Sequence, residues 1–240
     1  MPQITASRIE KHLIKLGNPE IAAHSQRFFK TGKGEYGEGD RFLGIRVPVL
    51  RKEAKAWWDV PLTIVFQLVK SPWHEVRLAA LILLVTKFQK AKNESEKQSI
   101  FQGYLKRTKY INNWDLVDTS ASHIVGAWLF SRDRKILYRL AKSKDLWERR
   151  IAIIATHFFI RNSDFNDTLA LAKNLLQDKE DLIHKAVGWM LREAGNRDRE
   201  VEIQFLDEYA PVMPRTMLRY AIEKFPEGER KEYLAKGSEV

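Results

Sequence analysis

The chain reads as an all-α protein, and three observations lead there. Apolar residues recur with helical period in nearly every segment, no stretch alternates as a half-buried strand would, and prolines stand where first helical turns begin. Residues 5–16 carry the period of one helix, stopped by Gly17-Asn18-Pro19, and Pro19 opens a second that ends near Phe29. A glycine-rich loop at about 31–47 follows, with five glycines between Gly32 and Gly44. Pro48, Pro61 and Pro72 each suit a first turn and divide the next stretch into three helices. The third of these, from Trp73 to about Ala91, is the most apolar. Asn93, with Ser95 and Glu96 behind it, starts another helix that runs to about Lys109.

Asn112 to Trp128 reads as one amphipathic helix, and the rest of the chain is organised around it. At about 100° per residue, Val117, Ala121, Ile124, Val125 and Trp128 share a face that must pack. Trp114 and Asp118 stand one turn apart on the rim of that face. Asp115 falls outside the apolar stripe and is expected in solvent. A carboxylate on a hydrophobic rim beside an indole is costly unless it has a task or a partner. Further helices begin at Arg132, Asp145, Ser163, Glu180, Arg197, Pro214 and Pro226. About fourteen helices with turns of a few residues leave no room for a sheet.

A repeat runs through them. Val76-Arg77-Leu78-Ala79 superposes on Arg149-Arg150-Ile151-Ala152 and on His184-Lys185-Ala186-Val187, with Asp118 at the matching place between. The intervals, about 32 to 41 residues, suit two helices per unit, near the short end for HEAT-like repeats. Such units stack into a helical repeat solenoid whose concave side would carry Arg77, Asp118, Arg150 and Lys185 in succession. One HEAT-like domain over residues 1–240 is the expectation.

Composition narrows the function. With Lys+Arg 41 against Asp+Glu 31, the net charge of +10 suits a polyanionic partner. The absence of cysteine excludes disulfides and thiolate chemistry, and fits a reducing compartment. The first twenty residues hold no apolar run of signal-peptide type, and Leu78 to Val85 is too short to span a bilayer. A soluble, cytoplasmic, monomeric protein is expected.

Several motifs fail their context. Gly32-Lys33-Gly34-Glu35-Tyr36-Gly37 spells G-x-G-x-x-G, but it follows a helix rather than a strand and precedes no helix start. What remains is a loop whose backbone amides and Lys33 could meet phosphate. The six histidines never pair at metal-ligand spacing, and no serine sits in a nucleophile elbow, so neither a metal nor a cofactor is expected. Trp147 with Arg150, and Trp189 with Arg192, place an indole and a guanidinium three residues apart on a helix. Basic clusters at Lys87-Lys90-Lys92, Lys106-Arg107-Lys109 and Arg132-Arg134-Lys135 could line a phosphate track or simply be solvated.

Taken in order, Phe42-Leu43-Gly44-Ile45, Trp114-Asp115-Leu116-Val117-Asp118, Trp147 with Arg150-Ile151-Ala152, and Lys185-Ala186-Val187-Gly188-Trp189-Met190-Leu191-Arg192-Glu193 are no longer generic. Over residues 20–225 or so the chain resembles the AlkD family of bacterial DNA alkylation-repair glycosylases. The resemblance implies a HEAT-like solenoid holding double-stranded DNA and excising purines alkylated at N3 or N7, leaving an abasic site, without cofactor. It implies Asp118 as the catalytic acid and Trp114 and Trp189 as the aromatics that meet the lesion's deoxyribose. Arg150 matches an arginine on nearby phosphate, and Arg192 and the Arg46-Val47-Pro48 turn match further DNA contacts. Phe28 stands near an aromatic contact from the second helix. The glycine-rich insertion, and Arg46 where a neutral polar residue can occur, depart from the family pattern. Two other classes stay open: a non-catalytic relative that binds branched or damaged DNA, and a repeat scaffold for an acidic peptide. Base release separates the first from an enzyme, and duplex binding separates the second from both.

Overall fold

The computed structural model describes residues 4–236, and every regular element among them is helical. The one strand-like pairing in these residues is an isolated bridge between Arg41 and Trp73. No helix of the described residues is long and apolar enough to cross a membrane. The chain divides into two compact units, Met1–Ser120 and Ala121–Val240.

In the first unit α1 (Ala6–Lys15) starts on Thr5, whose side chain accepts the Arg8 N–H, and α2 (Pro19–Phe28) starts on Asn18, which caps Ile21 in the same way. Helices α3 (Val47–Ala56) and α4 (Leu62–Leu68) are the two that Pro48 and Pro61 announce. α5 (His74–Lys90) is buried around nearly its whole circumference at its N-terminal half, which is why it reads as the most apolar stretch. α6 (Glu94–Leu105) opens on Asn93, and Gly103 lets the Phe66 ring lie against its backbone, where a Cβ would meet ring carbon at 2.0 Å. α7 (Trp114–Ala121) ends the unit.

The glycine-rich loop is fastened from both sides. Glu35 Oε2 accepts the Gly32 N–H (2.7 Å) and Glu38 Oε2 accepts the Gly34 N–H (2.9 Å), so these amides are already taken and the expectation that they would serve phosphate fails. At the loop's far end the N–H groups of Leu43, Gly44 and Ile45 all donate to the buried Glu75 carboxylate at the start of α5, at 2.8, 2.7 and 3.2 Å. Gly44 makes this possible. Its φ is +81°, and a Cβ there would sit 2.1 Å from the Asn18 carbonyl oxygen.

In the second unit the expected long helix does not continue unbroken. After α7 the chain widens into a π-helical segment, Ser122–Gly126, before the short α8 (Ala127–Leu129). Gly126 there lies so close to Ala155 that a Cβ would come within 2.1 Å of its carbonyl oxygen. Next come α9 (Lys135–Ala141) and α10 (Leu146–Ala155), and the Asp145 helix breaks at Thr156 to give a separate α11 (His157–Arg161). α12 (Asn166–Asn174), α13 (Asp181–Arg197), α14 (Arg199–Tyr209), α15 (Arg215–Ala221) and α16 (Glu227–Lys236) complete the chain. Arg134, expected in a solvated cluster, instead donates to Asp164 (2.8 Å) and Asp167 (2.6 Å) and ties the start of α9 to that of α12.

Glu75→Ala should cost about 3 kcal/mol or more, because three buried N–H groups lose one shared charged acceptor. Urea unfolding followed by circular dichroism measures it, and a loss below about 1 kcal/mol would mean the loop end holds without that carboxylate.

Candidate functional site

α7 begins where two side chains cap it. Asn113 Oδ1 accepts the Trp114 N–H (2.8 Å) and Asp115 Oδ1 accepts the Leu116 N–H (2.9 Å). Leu116 and Val117 are buried, which leaves Trp114 and Asp118 half-buried on the rim, one turn apart. The Trp114 ring stacks on Phe29 (5.3 Å between centroids, 23°) and meets Phe28 edge-on (6.1 Å, 69°). Phe28 is 58% exposed, so its ring is accessible beside Trp114. The first unit therefore groups two accessible aromatic rings with the helix that carries Asp118. Below, the fully buried Tyr104 shares a hydrogen bond with Ser120 (3.0 Å); burial pushes its phenol pKa up, the Ser120 bond opposes this, and the Asp118 charge adds to it.

Asp115 is not in solvent. Its Oδ2 lies 2.8 Å from His74 Nε2, and His74 Nδ1 lies 2.8 Å from Asp40 Oδ2. Asp40 Oδ1 in turn accepts from Arg77 Nη2 (2.8 Å) and from the Arg41 N–H (2.9 Å). A helix face predicts only which side of α7 meets its own core. Here the opposite side meets the start of α5 and the end of the loop, and neither can be read from helical period. Burial by itself would lower the His74 pKa, but Asp115 and Asp40 outweigh it and raise it to about 9. Burial would likewise raise Asp40, and His74 and Arg77 hold it below the ordinary carboxylate value.

In the second unit Trp189, on α13, is also half-buried rather than core. Its indole N–H donates to Glu193 one turn on (3.0 Å), and its ring packs against His157 (5.9 Å, 48°). Desolvation lowers the His157 pKa, with Arg161, His123 and Arg197 adding to the effect against Glu193. Gly188 brings α13 against α15, where a Cβ would stand 2.3 Å from the Met217 carbonyl oxygen. No sequence signal paired His157 with Trp189; Glu193, one turn from Trp189, could have been found by spacing alone.

The cations expected at a DNA surface divide into two groups. Arg46 is exposed at the start of α3, and Lys185 is 38% exposed with its ammonium 2.8 Å from Asp181. Arg192 is held by Glu223, with Glu193 beside it. Arg77 is only 4% exposed, its guanidinium spent on Asp40 and the Ser71 carbonyl (3.1 Å). Arg150 is 5% exposed and donates to the Leu182 carbonyl (2.5 Å). The phosphate contacts expected of Arg77 and Arg150 are therefore not offered by this geometry, because a guanidinium among carbonyls and carboxylates inside the fold cannot also face solvent. Trp147 is buried as well, so it and Arg150 do not form the adjacent surface expected of them.

Beneath Arg192 lies Glu202 of α14, buried against Gly195, with its Oε1 lacking a hydrogen-bond partner among the described residues. Burial raises its pKa to about 8, with Arg192 and Arg199 opposing. A folded-state pKa above the unfolded value means that stability is highest below about pH 4.5 for this group and declines as pH rises through about 8. Glu202→Gln should raise the thermal midpoint at pH 8–9 and leave it unchanged near pH 4.5. Equal shifts at both pH values would show that the carboxyl does not titrate in this way.

The model of a family described as DNA alkylation repair enzymes matches residues 9–225. Among solved structures the chain is similar to a predicted DNA alkylation repair enzyme from Enterococcus faecalis. The TM-score is 0.69 at 18% identity, over 88% of this chain and 97% of that one, a likeness that speaks for the fold. No curated protein is detectably similar in sequence.

Proposed function

Because the chain belongs to the family of DNA alkylation repair enzymes, as the match over residues 9–225 shows, we propose that it is a DNA glycosylase for cationic N3- or N7-alkylated purines in duplex DNA. The observation that carries the proposal is a carboxylate, Asp118, one helical turn from a half-exposed indole, Trp114, with the exposed Phe28 ring beside it. Alkylation at N7 or N3 already makes the base a cation, so breaking the N-glycosidic bond releases a neutral purine. The bond's electron pair leaves with the base. The sugar left behind is oxocarbenium-like and positive, and water adds to its anomeric carbon to give the abasic site.

A carboxylate beside aromatic faces suits that transition state, by charge and by cation–π attraction. Asp118 stabilises the developing cation and takes up the proton of the attacking water. Trp114 and Phe28 offer flat apolar surface to the sugar, and the family resemblance gives Trp189 a like role. Arg46 and Lys185 are the cations exposed to meet backbone phosphate.

Asp118→Asn should slow release of 7-methylguanine from methylated duplex by at least about 100-fold while binding to the duplex persists. If the variant releases base as fast as the parent, Asp118 is not the catalytic group; if the parent binds duplex but releases no base, the chain is a binding relative. Arg46→Ala should weaken duplex binding and reduce the slope of log K against log salt by about 1. Arg77→Ala should instead cost about 3–5 kcal/mol of stability, since it leaves Asp40 short of a partner. Titration at several salt concentrations and urea unfolding tell the two arginines apart, and a reduced salt slope for Arg77→Ala would return it to the DNA surface.

A further inference from the structure

The first turn of α7 is fastened by a chain of charges rather than by packing alone. Asp115 meets His74, His74 meets Asp40, and Asp40 meets Arg77, each contact at 2.8 Å. Both ring nitrogens of His74 face a carboxylate oxygen. A neutral imidazole has one N–H and could donate to one of them, leaving two lone pairs opposed at the other, so the geometry calls for an imidazolium. The ring is 2% exposed and lies flat against Phe42 (4.4 Å, 22°), with Phe29 at 5.1 Å. Phe29 continues the stack to Trp114. One histidine thus holds α7 twice, through Asp115 by charge and through Phe29 and Trp114 by ring contact.

The charged groups around it are few. Asp40 comes from the loop, Asp115 from α7, and Arg77 and Glu75 from α5 itself, while Arg41 follows Asp40 and lies over Trp73 at 4.3 Å. Glu75 is turned away to the N–H groups of Leu43, Gly44 and Ile45. Two carboxylates face two cations, and loss of the imidazolium proton leaves Arg77, bonded to Asp40, as the remaining one.

With Trp114 and Asp118 taken as the groups that meet the sugar, as proposed above, we propose that His74 is a positioning residue for base excision: its imidazolium clamps the first turn of α7 and so sets where indole and carboxylate stand. A displacement of about 1 Å at such groups can cost on the order of 100-fold in rate. Activity then has an alkaline limb, because the clamp is intact below about pH 9 and opens as His74 loses its proton.

The experiment uses the full chain labelled with 5-fluorotryptophan, the Trp114 resonance being assigned from Trp114→Phe, together with single-turnover release of 7-methylguanine from pH 6 to 10. In the parent, the Trp114 signal should titrate with a midpoint near pH 9, in step with the fall in rate. His74→Gln, checked for folding by circular dichroism, should release base about 10- to 100-fold more slowly at pH 7. It should bind unmodified duplex as the parent does and lose the Trp114 titration. Asp115→Asn, which keeps the side-chain shape, should move the Trp114 midpoint to lower pH and serves if His74→Gln does not fold. A His74→Gln protein as fast as the parent, or one that keeps the parent's Trp114 midpoint, overturns the assignment, as does an Asp115→Asn protein with an unshifted midpoint. Should the parent release no base at all, the glycosylase reading fails while the fluorine titration still decides whether His74 holds Trp114.

Discussion

Two carboxylates from distant parts of the chain, Asp40 buried and Asp115 half-buried, meet the two nitrogens of one imidazole, and only its double donation makes that tolerable. Without His74, Asp40 and Asp115 would repel in a medium that screens charge poorly, and the loop would part from α7. With it, loop, α5 and α7 are joined through one side chain. The side chains proposed to meet the sugar stand beside this arrangement: Trp114 precedes Asp115 by one residue, Asp118 follows by three, and Phe28 leans on Trp114 from α2.

The second unit reaches a comparable end by other means. Trp189 is held by its own helix and its neighbours. Its N–H is taken by Glu193, its ring by His157, and its helix is brought close to α15 by Gly188. Small residues at close approaches and one polar contact on the indole do here what charge does around Trp114. Both tryptophans stay half-buried, Trp114 with one face stacked on Phe29 and Trp189 held through its N–H and a tilted contact with His157.

Much of the fold was legible because helices advertise themselves locally. Pro19, Pro48, Pro61, Asn93 and Asp145 mark starts that the structure keeps to within a residue or two. The π-helical segment and the break at Thr156 were not legible, since both are responses to packing partners rather than to local preference. At the site, the rim positions of Trp114 and Asp118 followed from periodicity, but periodicity sent Asp115 into water. The repeat register put Arg77 and Arg150 on a concave surface, and a register cannot say that a carbonyl or a carboxylate waits beside them. One clue was available for Arg77: the most apolar helix of the chain opens with His74-Glu75-Val76-Arg77, and three ionisable groups there must find partners inside.

At the end of the glycine-rich loop, three consecutive N–H groups converge on the Glu75 carboxylate, with Gly44 in the left-handed conformation between its neighbours. A concavity of that kind is a nest, a shape that takes anions from solution. Here the fold plugs it with an anion of its own. A polyanion drawn to this basic chain meets an occupied seat, and is left to settle on side-chain cations, whose placement the helices control.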